Sequence, residues 1–279
     1  RSIIIYSGAE SPATMQLHDT VEGVGCIARD SVQHTGTDII FLSEEGVRSL
    51  GRTIQEKSAP MRDISNNVRN ELMALVRQQT NPIKSLYSAD EAFYILSLQD
   101  SNTVYCFDMR GALPDGANRV TTWAGVNPRS LALLQDGSIY IGREDGVFKY
   151  EGYQDNGASY QMLYYSNPLN FGNSANLKFL KKFNITVIGN VASPTTLVWG
   201  YDYEGNFIKS PFETQLVNTA ISEYSVSEFN IGKFTTGVDI QRPSINTSGS
   251  GTVVTIGIES TVNGAPYSIQ QIDVHALLG

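Results

Sequence analysis

The chain has 279 residues, of which 41% are hydrophobic and 17% are charged, and its formal net charge at pH 7 is −8. This composition is typical of a folded globular protein and excludes a disordered tail or linker. The charge is spread evenly, since residues 1–150 hold 14 basic and 18 acidic side chains and residues 151–279 hold 6 and 10. Neither half is basic, which argues against a protein that grips nucleic acid by neutralising its phosphates.

The first predicted element is a strand within residues 1–8, where three isoleucines and Tyr6 precede Gly8. Isoleucine and tyrosine favour a pleated, half-buried surface. The pattern matches the second strand of the hairpins that follow, and no initiator methionine stands before it. We therefore expect the chain to be the C-terminal part of a longer protein, or one product of a cleavage, that opens in the middle of a hairpin.

Three hairpins with related sequences are predicted further along the chain. Residues 38–50 predict two short strands joined by an acidic turn that Gly46 closes. Residues 138–150 repeat this pattern around Gly146, and residues 92–107 repeat it with a looser turn. Glycine supplies the positive φ that such tight hairpins need, and the β-branched and aromatic flanks are typical of strands.

The spacing of these units predicts a propeller-like architecture. Counted from their second strands, the units fall near residues 6, 50, 107 and 150, which gives spacings of 44, 57 and 43 residues. Repeats of this length with paired strands are typical of propeller blades. We therefore expect residues 1–165 to form a β-propeller-like repeat domain that is incomplete at its N-terminus.

One amphipathic helix is predicted between the hairpins, at about residues 64–79. Its apolar residues recur three or four positions apart, and its polar face carries Arg69 and Arg77. Asp63 or Ser65 can cap its start, and an Asn-Pro pair ends it. Packing against its own domain is the favoured role of this helix, and docking of a neighbouring subunit is the alternative.

Residues 166–279 predict a β-sandwich, which makes the whole chain all-β with one inserted helix. Alternating apolar and polar residues mark short strands between Gly and Asn turns, and no helical period is present. The predicted strands cover residues 182–188, 196–203, 228–234, 253–258 and 268–276. Residues 150–176, rich in Gly, Asn, Ser and Tyr, form the predicted connection between the two domains.

The sequence carries little sign of catalysis or of a bound cofactor. No nucleophile, metalloprotease or nucleotide-binding motif is present. The only histidines, His18, His34 and His275, have no partners at the spacing of metal ligands. Paired acids at Glu44–Glu45 and Glu144–Asp145 would suit a glycoside hydrolase if two carboxylates lay about 5–10 Å apart in one cleft. Their equivalent turn positions favour solvated turn-formers, so we expect no enzyme, no metal and no cofactor.

Cys26 and Cys106 both lie in strand-like apolar stretches, and the chain has no CxxC motif. Free cysteine is among the most buried residue types. Two reduced core thiols are therefore the favoured interpretation, and the spacing alone leaves a disulfide open.

A basic cluster at residues 178–183 and a row of aromatic residues are the candidate binding features. Lysines interleaved with aromatic side chains indicate either contact with nucleic acid or protection of an edge strand. The predicted partner or assembly surface consists of Arg69, Arg77, Lys178, Lys181 and Lys182.

The aromatic row contains Trp199, Tyr201 and Tyr203, which alternate along a predicted strand. Such a row stacks on sugar rings if it is exposed and belongs to the core if it faces inward, and the core position is favoured. A carbohydrate- or receptor-binding β module, which would use this row or the Tyr-rich connection, is the alternative function. An exposed aromatic platform would favour it.

Two stretches of the chain resemble a known family. The run from Val24 to Val32 leads into Gly36–Leu50, and together they resemble the tail nozzle proteins of short-tailed bacteriophages. These are also called tail tubular protein B or packaged-DNA stabilisation proteins. Residues 251–274 resemble the last strands of the same family. The similarity lies in strand patterns at both ends of the chain and includes no catalytic residue.

The resemblance implies a structural role in a virion. Family members form a homohexameric ring below the portal and adaptor proteins, and tail fibres or spikes are further partners. Their propeller-like domains form a channel that holds and then releases the genome, and they carry further N-terminal strands that this chain lacks. The resemblance therefore implies a phage tail protein, assembled in the host cytoplasm, without a small-molecule substrate. DNA would pass through the lumen without specific binding, which suits an acidic chain.

Overall fold

A computed structural model describes residues 1–56, 63–173, 175–189, 194–213 and 239–279. Strands account for 53% and helices for 7% of the structure, and the strands pair in antiparallel sheets, which confirms the all-β fold. The chain forms two compact units, Arg1–Tyr150 and Glu151–Gly279. Among the helices that these ranges contain, none has the length and apolar character needed to cross a bilayer.

In its described residues, the first unit contains four antiparallel sheets and two short α-helices. Its first two sheets contain β1 (Ser2–Ser7) with β2 (Gln16–Glu22), and β3 (Gln33–His34) with β4 (Ile39–Ser43) and β5 (Gly46–Ser49). The helices are α1 (Leu50–Glu56) and α2 (Arg69–Val76). A four-stranded meander follows with β6 (Lys84–Ser88), β7 (Phe93–Leu98), β8 (Thr103–Ala112) and β9 (Asn118–Ala124). The last sheet contains β10 (Ser130–Leu133), β11 (Ile139–Arg143) and β12 (Gly146–Lys149).

All three predicted hairpins are present. Ser43 pairs with Gly46 at the end of β4–β5, and Arg143 pairs with Gly146 at the end of β11–β12, so each turn has two residues. The β7–β8 hairpin has a longer turn, as its sequence indicates. The first strand, β1, pairs with β2, the strand that follows it.

The centre of the sheet β6–β9, which consists of β7 and the first half of β8, is buried on both of its faces. Tyr94, Leu96 and Leu98 of β7 join a cluster that also contains apolar side chains of α2 and of β4–β5. Phe93 and Ile95, which alternate with them, join a second cluster that reaches β11. The hairpin units therefore share apolar clusters with one another and with α2. A propeller arrangement of these sheets stays a prediction.

The predicted helix is shorter than expected, because its first residues bind a strand instead. α2 begins at Arg69, although the sequence predicts a start near residue 64. The Ser65 hydroxyl, expected as a cap, accepts the Val47 N–H at 2.9 Å, and the Ile64 N–H donates to the Val47 carbonyl at 3.1 Å. These bonds hold residues 64 and 65 in turn conformations beside β5. The helix also ends early, at Val76.

The helix α1 was not predicted, because the sequence predicts that Leu50 ends the second strand of the first hairpin. The Asp38 carboxylate accepts the Gly51 N–H at 2.8 Å and so satisfies one of the backbone donors at the start of α1. A seven-residue helix leaves too short an apolar pattern to be recognised in a sequence.

The part of the second unit that the structure describes contains two antiparallel sheets. The sheet called here the β20 sheet has the order β13 (Tyr160–Tyr165), β20 (Val254–Val262), β15 (Pro194–Tyr201), β16 (Ile208–Glu213). The sheet called the β14 sheet is organised around β14 (Lys178–Gly189). One edge of β14 pairs with β21 (Tyr267–Leu278), and the other edge pairs with β17 (Asp239–Gln241), β18 (Ser244–Asn246) and β19 (Ser250–Gly251).

The two sheets of the second unit enclose one core, which is the layer arrangement of the predicted β-sandwich. The core side chains from the β14 sheet include Phe183 and Ile185, and those from the β20 sheet include Trp199 and Ile258. The boundary between the units lies after Tyr150 rather than after residue 165, because β13 pairs along its whole length with β20. The predicted strand at residues 228–234 lies outside the described residues.

Candidate functional site

The structure places Arg69, one of the predicted assembly residues, largely inside the first unit. Its guanidinium donates to the Asp63 carboxylate at 2.5 Å, and the Asp63 side chain is fully buried. Burial raises the pKa of the Asp63 carboxyl, although Arg69 and Arg48 act in the opposite direction. Arg69 therefore serves an internal ion pair, and Arg77 is the exposed arginine at the end of α2.

Lys178 is a buried residue, so it does not belong to an assembly surface. Its ammonium donates to the carbonyl of Asn173 and, at 2.7 Å, to that of Thr252. Lys181 is exposed and Lys182 is half-buried. The predicted basic surface is thus reduced to Lys181 and Lys182 in the second unit and Arg77 in the first.

The turn acids serve ion pairs, and all but the one with the buried Arg48 lie at the surface. Glu45 pairs with Arg48, Asp145 with Arg143 at 3.1 Å, Glu44 with Arg1 at 3.2 Å, and Glu144 with Arg129. Each acid lies in or beside a two-residue hairpin turn, the position that the repeat predicts. In the ranges that the structure describes, no group of three side chains from His, Cys, Asp and Glu is placed to hold a metal ion.

The histidines that accept or donate hydrogen bonds do so locally. His34 Nδ1 accepts the Gly36 N–H at 3.1 Å, within the turn before β4. His275 Nε2 lies 2.9 Å from the Asn184 amide on the neighbouring strand. Both contacts are ordinary structural contacts of a turn and of a strand pair.

The two cysteines are free thiols in different environments. Cys106 is buried, as predicted, and burial raises the pKa of its thiol to about 12. Cys26 is exposed, which corrects the expected core position, and its thiol donates to the Ala28 carbonyl at 3.0 Å. The stretch around Cys26 makes only a single isolated bridge, to Ser43, and not a buried strand.

A cleft of about 240 Å³ lies in the first unit beside α1. Asp38 and Arg52 line it, but the Asp38 carboxylate already accepts hydrogen bonds from Ser49, Ile39 and Gly51. The cleft is smaller than the usual ligand pocket of about 300–1,000 Å³. Its polar groups support the fold locally, and the cleft is a weak candidate for a binding site.

The aromatic row at the end of β15 belongs to the core in part, since Trp199 and Tyr201 pack there, as the favoured interpretation predicts, and Tyr203 does not. Trp199 is 3% exposed, and its Nε1–H donates to the Ser248 carbonyl at 3.1 Å. The Tyr201 hydroxyl donates to the same carbonyl at 2.8 Å. Tyr203 is 77% exposed but lies in the turn after the strand. The row therefore offers no continuous stacking surface.

An exposed aromatic pair lies elsewhere in the second unit, on the outer face of the β20 sheet. Tyr165 of β13 and Phe207, which precedes β16, have ring centroids 5.7 Å apart and an interplanar angle of 51°. Tyr165 is 42% exposed and Phe207 is 38% exposed. The inner face of this sheet carries Ile256 and Ile258, so residues that alternate with them point outward.

Two glycines allow both rings to lie close to the sheet. Tyr165 lies opposite Gly257 of β20, and a Cβ at position 257 would come within 2.6 Å of the Tyr165 ring. A Cβ at position 200 would likewise come within 2.8 Å of the Phe207 ring. Gly257 and Gly200 thus leave free the space that the two rings occupy against the sheet. Glycine inside a strand often marks such a close approach.

A charged pair lies beside the two rings. The Tyr165 hydroxyl donates to Glu259 at 2.5 Å, and the Lys209 ammonium donates to both oxygens of Glu259 at 2.8 and 2.9 Å. These hydrogen bonds, Lys209 first and Tyr165 second, lower the pKa of Glu259, and the bond to Glu259 raises the pKa of Tyr165. We call Tyr165, Phe207, Glu259 and Lys209 the aromatic platform.

Sequence reasoning did not find the aromatic platform, because its members come from three strands that are far apart in the chain. The Tyr-rich connection was predicted as a possible binding stretch, but its sequence does not indicate which residue lies beside Tyr165. The signal that was available is the pair of glycines inside otherwise regular strands, since Gly200 and Gly257 leave room for a ring.

No model of a known protein family matches the sequence, and no curated protein matches it.

Proposed function

We propose that this chain is a structural component of a bacteriophage tail and forms part of the channel that retains and then conducts the genome. The observation that carries the proposal is where the family-like residues lie. The stretch that resembles tail nozzle proteins supplies Ile40, Leu42 and Val47, which are core residues of the first unit. The stretch at residues 251–274 supplies core residues of β20 and β21. The resemblance thus concerns the framework of both units, which supports a role in assembly.

The distribution of charge supports the second part of the proposal, a wall past which DNA slides. The chain carries a net charge of −8, and many of its cations are neutralised locally. The described cations that pair with carboxylates include Arg1, Arg29, Arg48, Arg69, Lys84, Arg110, Arg129, Arg143 and Lys209. Paired cations attract phosphates weakly, so the protein should not hold the DNA.

The test of assembly is the mass of the full chain in solution, measured by light scattering across a concentration series. We expect a ring, of six copies if the family resemblance holds. The double variant Lys181→Glu/Lys182→Glu and the variant Arg77→Glu should weaken association, because they reverse the charge of the exposed predicted surface. Arg119→Glu, an exposed arginine outside that surface, is the matched control. A monomer at every concentration would contradict the proposal.

The test of the conduit role is binding of labelled duplex DNA at low ionic strength, followed by fluorescence anisotropy. We expect no change in anisotropy at about 50 mM salt, where phosphate contacts are strongest. Tight binding that weakens as salt is added would show that the protein holds DNA through phosphate contacts, and it would contradict a passive channel. The two tests are independent. If the chain forms a ring that binds DNA tightly, the proposed role in assembly stands and the passive channel is excluded.

A further inference from the structure

We propose that the aromatic platform on the outer face of the β20 sheet binds a neutral oligosaccharide. Tyr165 and Phe207 would stack on the sugar rings, and Glu259 and Lys209 would hydrogen-bond their hydroxyl groups. This inference does not rest on the tail role, and it gives the carbohydrate-binding alternative a specific site.

The rings are held in place before a ligand arrives. Tyr165 rests on Gly257, and its hydroxyl is tied to Glu259 at 2.5 Å, while Phe207 rests on Gly200. A side chain that is already ordered loses little conformational entropy on binding, so more of the contact energy remains as affinity. The two rings are thus exposed and already ordered, as a stacking surface for a ligand requires.

The chemistry of the platform matches the two faces of a sugar. The C–H groups on one side of a sugar ring form an apolar surface with partial positive charge, which suits the negative face of an aromatic ring. Its hydroxyls need both donors and acceptors. Lys209 supplies donors and Glu259 supplies acceptors immediately beside the rings, and the side chain of Lys209 is 55% exposed.

Other ligand classes fit less well. A protein partner would require a larger apolar centre, because interface cores are depleted in charged residues and this patch has a carboxylate and an ammonium directly beside its two rings. A nucleic acid would stack on the rings, but residues 151–279 carry 6 basic and 10 acidic side chains, so phosphates would be repelled. An acidic sugar would meet the same repulsion, and the charge balance therefore favours a neutral one.

The experiment is a glycan microarray probed with the full-length chain, printed with neutral oligosaccharides that include cellohexaose, maltohexaose and the hexamer of N-acetylglucosamine. We expect the chain to bind at least one of these neutral sugars. Tyr165→Ala and Phe207→Ala should each weaken that binding by about tenfold or more. Tyr165→Phe should retain most of it, since it keeps the ring and loses only the hydrogen bond to Glu259.

The matched control is Tyr164→Ala, in the same strand. Tyr164 is 53% exposed, but it lies opposite Ile258 and so belongs to the other face of the sheet. Its loss should leave binding unchanged, and Trp199 fluorescence should show that every variant retains a folded second unit. Absence of binding to any neutral sugar, or an equal loss in the Tyr164 and Tyr165 variants, would overturn the proposal. Neither result would affect the light-scattering test of assembly.

Discussion

Gly46 and Ser65 are in contact at the start of β5, where the Ser65 hydroxyl occupies the space that a Cβ on residue 46 would fill. Gly46 has φ +137°, and a Cβ at this position would collide with Ser65 Oγ. That same oxygen accepts the Val47 N–H at 2.9 Å. The contact connects the repeated hairpin to the segment before α2, so the turn glycine is required by both its backbone and its neighbour.

Gly46→Ala should therefore lower the free energy of unfolding of the first unit by about 2 kcal/mol, from backbone strain and a displaced hydrogen bond. Gly146→Ala is the matched control at the equivalent turn position. Gly146 has φ +151°, but a Cβ there would meet only the Phe148 ring at 3.7 Å. Gly146→Ala should lower the free energy of unfolding only through backbone strain, by about 1 kcal/mol. Equal losses in urea unfolding would show that Ser65 contributes nothing.

Each unit contains one of the two tryptophans, so the units can be followed separately. Trp123 stacks on Tyr150 in the first unit, with ring centroids 5.7 Å apart and an interplanar angle of 10°. Trp199 lies in the core of the second. Trp199→Phe leaves Trp123 as the reporter of the first unit, and Trp123→Phe leaves Trp199 as the reporter of the second.

The two thiols should react at different stages of unfolding. Cys26 is exposed and should react with a thiol reagent in the native protein, whereas Cys106 is buried with a pKa near 12 and should react only after unfolding. The measurement is the number of thiols titrated at pH 8 with and without denaturant. Cys26→Ser should abolish the native reaction and leave one thiol in denaturant. Rapid native reaction of two thiols would contradict the described burial.

Asp100 should make the stability of the first unit depend on acid pH. Its carboxylate accepts hydrogen bonds from the backbone and side chains of Thr80 and Asn81, and these bonds hold its pKa below the usual range. The unfolded chain therefore takes up this proton first as the pH falls, and stability that is fully present above about pH 4 is lost below it.

Asp100→Asn should lower stability at pH 7, and the difference from the wild type should shrink as the pH falls below about 4. Asp90→Asn, an exposed carboxylate in the turn between β6 and β7, is the control and should leave the profile unchanged. The measurement is urea unfolding followed through Trp123 at a series of pH values. A constant difference at all pH values would exclude the carboxylate as the cause.

The sequence predicted those features that depend on local pattern. The hairpins around Gly46 and Gly146 and the alternating strands of the sandwich follow from turn chemistry and from the two-residue period of strands. The start of α2 was missed because Ser65, a good capping residue, binds the distant Val47 instead. The aromatic platform was missed for a similar reason, since only pairing of β13 and β16 with the strands between them brings Tyr165 to Phe207.

The burial of Lys178 was missed for a third reason. A bulge in β14 reverses the side of the strand that faces the core. The pairing of β14 with β21 shifts register between Leu180 and Lys182. Before the bulge the even-numbered Lys178 and Leu180 are buried, and after it the odd-numbered Phe183 and Ile185 are. An extra residue changes which side chains face the core. Sequence periodicity alone does not locate such a bulge, so all three lysines were expected at the surface.

Lys178→Met should lower the free energy of unfolding of the second unit by about 2 kcal/mol, because methionine fills similar space but leaves the Asn173 and Thr252 carbonyls without their donor. Lys181→Met places the same substitution at the exposed bulge position of the same strand and should change stability by less than about 0.5 kcal/mol. Urea unfolding followed through Trp199 measures both variants. If the two variants lose equal stability, Lys178 is not a buried donor. If Lys178→Met disrupts assembly without loss of stability, Lys178 belongs to the partner surface after all.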